Sequence, residues 1–251
     1  MLITTLGTSH GDHTYCRFNS STLIESQWRT YLIDAGAPVN GLLVRAGKDV
    51  HEIKAVFITH MHDDHVGGLS GLIKSLIKRP NMGQKTDIFL PEPNADTALI
   101  DWLAAQHLRI PDGLVVFHCI PEAETPLIYD DGVLQVTRVP TGHLRRADGI
   151  AASFAFSLEL EGKKILYSGD LRGDFSDFPI IAEPYDLCIC EATHYDPTIA
   201  LPVLRKCNFK RLIFNHIHNP WHGEGERVLM DHYASLPYPV EIAHDGDCFI
   251  V

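Results

Sequence analysis

The sequence predicts an α/β protein built from two mixed β-sheets packed face to face, with helices on the outer faces. Three observations predict it. The chain has 251 residues of which 45% are apolar, enough to bury a substantial core. Its short apolar runs fall into two strand-rich halves, each carrying helical stretches of its own. Several polar residues of metal-ligand type stand where those strands stop. No Ser/Gly-rich or Pro-rich linker separates the halves, so residues 1–251 read as one domain.

In chain order, residues 2–6, 22–25 and 31–33 read as short strands, with a long polar loop over 7–20. A fourth strand, 55–59, runs straight into a histidine cluster. Leu69, Leu72, Ile73, Leu76 and Ile77 then fall at helical spacing, and Arg79-Pro80 ends the pattern. Residues 81–130 supply a strand near 88–90, a helix over about 94–108 and a strand near 115–119, with no chemical motif. Strands follow at 133–139, 151–160, 164–167, 187–190 and 211–214. A helix near 224–233 and a last strand over 240–251, turning at Asp245-Gly246, close the chain.

The strand ends carry the chemistry. Ala55-Val56-Phe57-Ile58-Thr59 stops at His60, and the strand at 133–139 leads into Thr141-Gly142-His143. Ile165-Leu166-Tyr167 leads into Ser168-Gly169-Asp170, Leu187-Cys188-Ile189-Cys190 stops at Glu191, and Leu212-Ile213-Phe214-Asn215 stops at His216. A sheet holds such side chains rigidly while leaving them open to a cleft. Within the segment His60-Met61-His62-Asp63-Asp64-His65, the potential ligands crowd one another unless cations compensate them. His60, His62 and His143 would hold one ion, Asp64, His65 and His216 a second, and Asp170 would bridge the two. Such nitrogen-rich sites with a few carboxylates suit two zinc ions best, with manganese or iron as alternatives. Fifteen histidines in the chain raise the prior for a metal site. Val56 to His62 and Leu212 to His218 share a pattern of apolar triplet, polar residue, His, apolar, His, which suggests a duplicated scaffold.

The net charge of -11 works against long-range attraction of a polyanion, though not against a small phosphate ester. The amino terminus lacks a signal-peptide pattern, and no apolar run approaches the roughly 18 residues of a membrane span, so the expected location is cytoplasmic with no membrane partner. Six cysteines are scattered without a C-x-x-C pair, and most of them read as buried free thiols.

His60, His62, Asp64 and His65 form an H-x-H-x-D-H signature, and with it the sequence resembles the metallo-β-lactamase fold superfamily. The resemblance implies a four-layer αβ/βα sandwich with a two-metal site. Asp34 in Leu32-Ile33-Asp34-Ala35-Gly36, His143, Asp170 and His216 match its other motifs in order. Within the superfamily, Leu6-Gly7-Thr8-Ser9-His10-Gly11, Asn19-Ser20-Ser21, Glu191-Ala192-Thr193 and His244-Asp245-Gly246 resemble stretches of the ribonuclease Z and phosphodiesterase branch. β-Lactamases proper usually place a Cys where Asp170 stands. Ribonuclease Z carries a His before Glu-Ala-Thr where this chain has Cys190. The 26 residues between His143 and Asp170 leave no room for the arm that tRNA-processing members often insert there.

The expectation is therefore a metal-dependent phosphodiesterase for a small phosphodiester or nucleotide. The competing readings are a tRNA 3′ processing endonuclease, a thioester or lactone hydrolase, and a non-catalytic metal-dependent binding protein. RNA is the second-choice substrate, and a homodimer is the assembly to test. Asp64 would both bind metal and orient the attacking water, and His194 or His222 would protonate the leaving oxygen.

Overall fold

The computed structural model describes every residue except Trp28, Met82, Gln84, Ile181 and Ala182. Among the described residues the chain forms two seven-stranded sheets. The first takes β1 (Leu2–Gly7), β2 (Ser21–Ser26), β3 (Arg29–Ile33), β4 (Ile53–Phe57), β5 (Thr86–Leu90) and β6 (Val115–Cys119) in that spatial order. The second takes β7 (Leu127–Asp130), β8 (Leu134–Pro140), β9 (Phe154–Leu160), β10 (Lys163–Tyr167), β11 (Leu187–Ala192), β12 (Leu212–Ile217) and β13 (Val240–Ile242). The last strand, β14 (Asp247–Ile250), returns to pair antiparallel with β1.

Side-chain alternation along each strand builds the layers, because successive residues point to opposite faces of a sheet. In the first sheet Ile24, Tyr31, Ile33 and Phe57 point inward, where they meet Val136, Phe154, Phe156, Ile165 and Ile189 of the second. Their neighbours Leu23, Leu32, Val56 and Ile88 point the other way. They pack beneath α1 (Val39–Arg45) and α3 (Leu69–Lys78). In the second sheet Leu166, Cys188, Cys190, Leu212 and Phe214 face α5 (Pro197–Leu204) and α6 (Gly225–Tyr233). Three apolar layers between four structural ones make the αβ/βα sandwich. Phe57 sits at the centre of the middle layer, stacked on Phe89 at 5.0 Å and tilted against Phe156 at 6.0 Å. Phe57→Ala is expected to cost about 3–5 kcal/mol by urea unfolding.

The last strand expected over 240–251 divides. β13 joins the second sheet beside β12, whereas β14 joins the first beside β1. The turn between them is pinned from across the fold: the Asp245 carboxylate accepts the Thr8 amide and hydroxyl at 2.9 and 2.7 Å and the Phe18 amide at 2.7 Å. Arg17, almost fully buried, adds donors to Thr8, the Ala243 carbonyl and Glu226. These ties also explain why the loop expected over 7–20, read as polar, holds buried Thr8, Ser9, His10, Arg17, Asn19 and Ser20.

Some elements were not read from the sequence. α1 and α5 are two of them, although Asp196-Pro197 is a helix-start signature: the Asp196 carboxylate accepts the Thr198 amide and Pro197 occupies the first turn. β7 and the four-residue helix α2 (Asp63–Val66) are others. The helix expected over 94–108 is α4 (Ala95–Ala105), and the strand expected from 151 begins at Phe154. All six cysteines are free, but only Cys188, Cys190 and Cys207 are buried, fewer than expected.

The two sheets repeat one pattern. Each runs as four antiparallel strands followed by three parallel additions: β14-β1-β2-β3 then β4-β5-β6, and β7-β8-β9-β10 then β11-β12-β13. In this register β4 corresponds to β11, and β12 to β5. The repeated sequence pattern pairs β4 with β12, so it does not trace the repeated topology.

Candidate metal centre

The cluster forms at the strand ends where the two sheets face one another. After β4 the chain passes through Ile58 and a bend at Thr59 to His60, then turns into α2. The turn is held by His65 and Val66 amides donating to the His62 carbonyl at 3.0 and 3.2 Å, and by the Ala35 amide donating to the His65 carbonyl at 2.7 Å. Gly36 is required there, because a Cβ on it would lie 2.1 Å from the Asp64 carbonyl oxygen. Opposite, Gly169 delivers Asp170 from β10 with φ +55°, and a Cβ there would meet the Phe154 carbonyl at 2.7 Å. Two non-glycine residues at the cluster also take the left-handed conformation, Asp34 at φ 58° and His216 at φ 51°. Such outliers persist where the surroundings over-determine them, and they gather at functional sites.

Hydrogen bonds assign the imidazole tautomers. The Thr59 hydroxyl donates to Asp34 Oδ1 at 2.9 Å, so its oxygen accepts from His60 Nδ1 at 3.1 Å. His65 Nδ1 donates to Asp34 Oδ2 at 2.8 Å. The Thr193 hydroxyl donates to the His216 carbonyl, and its oxygen accepts from His216 Nδ1 at 3.1 Å. Each of these three rings therefore keeps its Nδ1 hydrogen on the outer side and, as a neutral imidazole, turns the Nε2 lone pair inward. Those nitrogens converge with the rings of His62 and His143 and with two carboxylates. His60 Nε2 lies 3.0 Å from His62 Nδ1 and 3.5 Å from Asp170 Oδ2, and His143 Nε2 lies 3.2 Å from His62 Nδ1 and 3.8 Å from Asp170 Oδ2. His65 Nε2 lies 3.4 Å from both Asp64 Oδ2 and Asp170 Oδ1. His216 Nε2 lies 2.9 Å from Asp64 Oδ2 and 3.8 Å from Asp170 Oδ1.

Converging lone pairs and carboxylates repel unless a cation stands among them. His65 Nε2 and Asp170 Oδ1 are buried with no hydrogen-bond partner at all. Burial would raise both aspartates, but positive charge on the imidazoles outweighs it, that of His216 and His65 for Asp64 and that of His216, His65 and His60 for Asp170, and holds both carboxyls far below the usual carboxylate range; a metal ion supplies the same compensation when the imidazoles are neutral. A tetrahedral ion with bonds of ~2.0–2.1 Å keeps its donors roughly 3.3 Å apart, and the distances above bracket that spacing. The donors thus fit metal. His60, His62, His143 and Asp170 bring their ligand atoms within 4.8 Å of one another, as do Asp64, His65 and His216. The seven residues singled out in the sequence are brought together, with Asp170 touching both groups.

Asp34, Thr59 and Thr193 support this set from behind. Asp34 was marked in the sequence only through its resemblance, and Thr59 not at all, although it directly precedes His60. Asp34→Ala is expected to weaken metal affinity by about 10–100-fold, as measured by chelator competition.

The two candidate acids differ. Glu191 Oε1 accepts the Leu171 amide at 2.7 Å, and Oε2 accepts the His194 amide and His194 Nδ1, each at 2.9 Å. This places the His194 ring against His143, with centroids 4.6 Å apart, and stacked on His216 at 5.7 Å. Burial works to lower the His194 pKa, but the Glu191 carboxylate and then Asp170 outweigh it, and the value is raised to about 9. His222 stands further out: its Nε2 donates to the Ile217 carbonyl at 2.8 Å, and its pKa is lowered, chiefly by burial. Cys190, in the position next to Glu191, points into the layer under α5 and α6, with its thiol 3.3 Å from the Tyr195 hydroxyl.

Other polar residues near the site are committed elsewhere. Arg146 pairs with Asp148 at 2.8 Å and Arg145 donates to the Gly149 carbonyl at 3.2 Å. Trp221 packs against the apolar layer beneath α6. No helix among the described residues is long and apolar enough to cross a membrane.

Comparison with known proteins places these features. A family model described as anti-Pycsar protein Apyc1 matches residues 1–191. Ribonuclease Z of Synechococcus sp. (strain CC9902) is 34% identical over 146 residues, covering 57% of this chain and 46% of that protein. The chain spans about half the length of the curated relatives it matches. The metallo-β-lactamase fold protein YhfI from Bacillus subtilis superposes over 99% of both chains with a TM-score of 0.78 at 17% identity. The short form of human tRNase Z covers 100% of this chain and 99% of its own, with a TM-score of 0.75 at 23% identity. The fold is that of the metallo-β-lactamases, as the motifs led us to expect.

Proposed function

The chain belongs to the family of the anti-Pycsar protein Apyc1, and from that premise we propose that it is a dinuclear metal-dependent phosphodiesterase acting on a small phosphodiester or nucleotide. One observation carries the reading: two sets of inward-facing acceptors share Asp170. When bound there, a pair of divalent ions, zinc by the donor chemistry, supplies Lewis acidity toward phosphoryl oxygens and a water nucleophile near neutral pH.

The residues of the chain do the rest. Asp64 orients the attacking water from the side of His216. His194 donates a proton from Nε2 to the leaving oxygen, while Glu191 keeps the proton on Nδ1 and so fixes which nitrogen faces the substrate. His222 is the weaker candidate for that acid, because its Nε2 is engaged by the Ile217 carbonyl.

Likeness to ribonuclease Z supports a second reading, cleavage of precursor tRNA. Against it stand the net charge of -11 and the interval from His143 to Asp170, which is taken up by a loop and the hairpin β9–β10. Zinc- and manganese-loaded protein should be assayed on bis-p-nitrophenyl phosphate, cyclic nucleotides, precursor tRNA and an acyl thioester. Turnover of the first two is expected. Absence of any phosphodiester turnover from fully metallated protein would sink the reading, and turnover of tRNA alone would replace it with the second.

A further inference from the structure

A second group of imidazoles stands on the same rim, outside the acceptor cluster. β1 and β12 are joined where they end: the Ile217 amide donates to the Thr8 carbonyl at 2.8 Å, and Ser9 forms a parallel bridge with Ile217. His10 follows Ser9 and His218 follows Ile217, so the two rings meet edge to face, with centroids 5.4 Å apart. His222 approaches His10 at 6.1 Å. On the other side of Ile217 stands His216. His194 stacks on His216 at 5.7 Å, which puts this group on the same rim as His194.

His10 is 8% exposed. Its Nδ1 accepts the Asp12 amide at 3.4 Å, so its hydrogen is on Nε2. That Nε2–H is buried without a partner, and so is His218 Nδ1. His222 has already given its Nε2–H to Ile217. A buried donor left unpaired costs about 1–3 kcal/mol, and each such group in a folded protein calls for an explanation. A third metal ion does not supply one: the unpartnered His10 Nε2 bears hydrogen, and among the described residues these three histidines form no group with converging ligand atoms. An oxygen acceptor does.

We propose that His10, supported by His218, is a specificity subsite that donates a hydrogen bond to an oxygen on the leaving-group half of a nucleotide substrate. The assignment to the leaving-group half rests on the phosphodiesterase reading above, through the proximity of His194. The acceptor is a sugar hydroxyl, a group that bis-p-nitrophenyl phosphate lacks.

The test compares metal-loaded wild type with His10→Phe, which keeps an aromatic ring and removes the donor, and His10→Gln, which restores a donor. On ribonucleoside 3′,5′-cyclic phosphates, His10→Phe is expected to lower kcat/KM by about 10–100-fold, mainly through KM, with much of the loss recovered in His10→Gln. The loss on bis-p-nitrophenyl phosphate, which has no sugar, should be at least about tenfold smaller. On 2′-deoxy substrates His10→Phe should show no further loss, and persistence of the full loss on them overturns the proposal. Equal losses on all substrates, or none in a variant of unchanged Tm, overturn the proposal.

Binding is read separately from turnover by following the histidine ring nitrogens of zinc-loaded wild type in NMR during titration with a nucleoside monophosphate and with inorganic phosphate. A shift of the His10 Nε2–H signal with the nucleotide supports the subsite even in a protein that hydrolyses nothing. No shift at saturating nucleotide overturns it even in an active phosphodiesterase.

Discussion

In the Asp170→Ala variant, phosphodiester hydrolysis is expected to fall by about a thousandfold or more, the upper end of what a single electrostatic group supplies. Asp170 reaches toward both acceptor groups, with Oδ2 3.5 Å from His60 Nε2 and Oδ1 3.4 Å from His65 Nε2. Its removal should disturb both metal positions together. Asp64 touches only the group of His65 and His216, so Asp64→Ala should also abolish activity but lower metal content by one equivalent. Elemental analysis after dialysis separates the two. An Asp170→Ala protein that keeps two equivalents and most of its activity would remove the shared carboxylate from the mechanism. The comparison is clean because Asp170 lies at a strand end rather than in the apolar layers, so circular dichroism of the variant should match the wild type.

His194→Gln is expected to lower kcat by about 10²–10⁴-fold on substrates whose leaving group is an alcohol. On bis-p-nitrophenyl phosphate the loss should be within about tenfold, since p-nitrophenolate departs without needing a proton. The dependence on leaving group is what marks an acid: a residue that merely packs against His143 and His216 would reduce both rates alike. Glu191→Gln should reproduce the pattern more weakly, because the amide oxygen can still accept from His194 Nδ1 but carries no charge. Equal losses on the two substrate types would take the role of acid away from His194 and leave His222 to be tried next.

Much of the site was legible because its chemistry is local. Four of the seven acceptors lie within six residues, His60 to His65, and the other three each follow closely on a strand pattern. The supporting shell was not legible in the same way. Thr59 is an unremarked residue in the sequence, yet its hydroxyl is what turns His60 Nε2 inward, and that depends on Asp34 arriving from the neighbouring strand β3. Cys190 read as a departure from ribonuclease Z. By alternation it faces the outer helices, while the imidazole beside Glu191 comes from His194, three residues further on.

Strand alternation could be read from apolar periodicity, but the sheet that each strand joins could not. β13 and β14 share one continuous run, and only Asp245, held by Thr8 and Phe18 from the opposite end of the chain, sends them into different sheets. The likeness between the residues ending β4 and β12 pointed to a duplication, whereas the repeat lies in the strand order and pairs β4 with β11.

The sequence by itself determined which residue types gather, their placement at strand ends and the class of fold, because periodicity and turn chemistry act over a few residues. Only the tertiary structure decided which acceptors share Asp170, which imidazole nitrogen carries hydrogen and which histidine Glu191 holds. It also decided that His10 meets His218 across a junction of two strands some two hundred residues apart. Those relations depend on packing two sheets against each other and on satisfying buried donors across the gap, which no local pattern encodes.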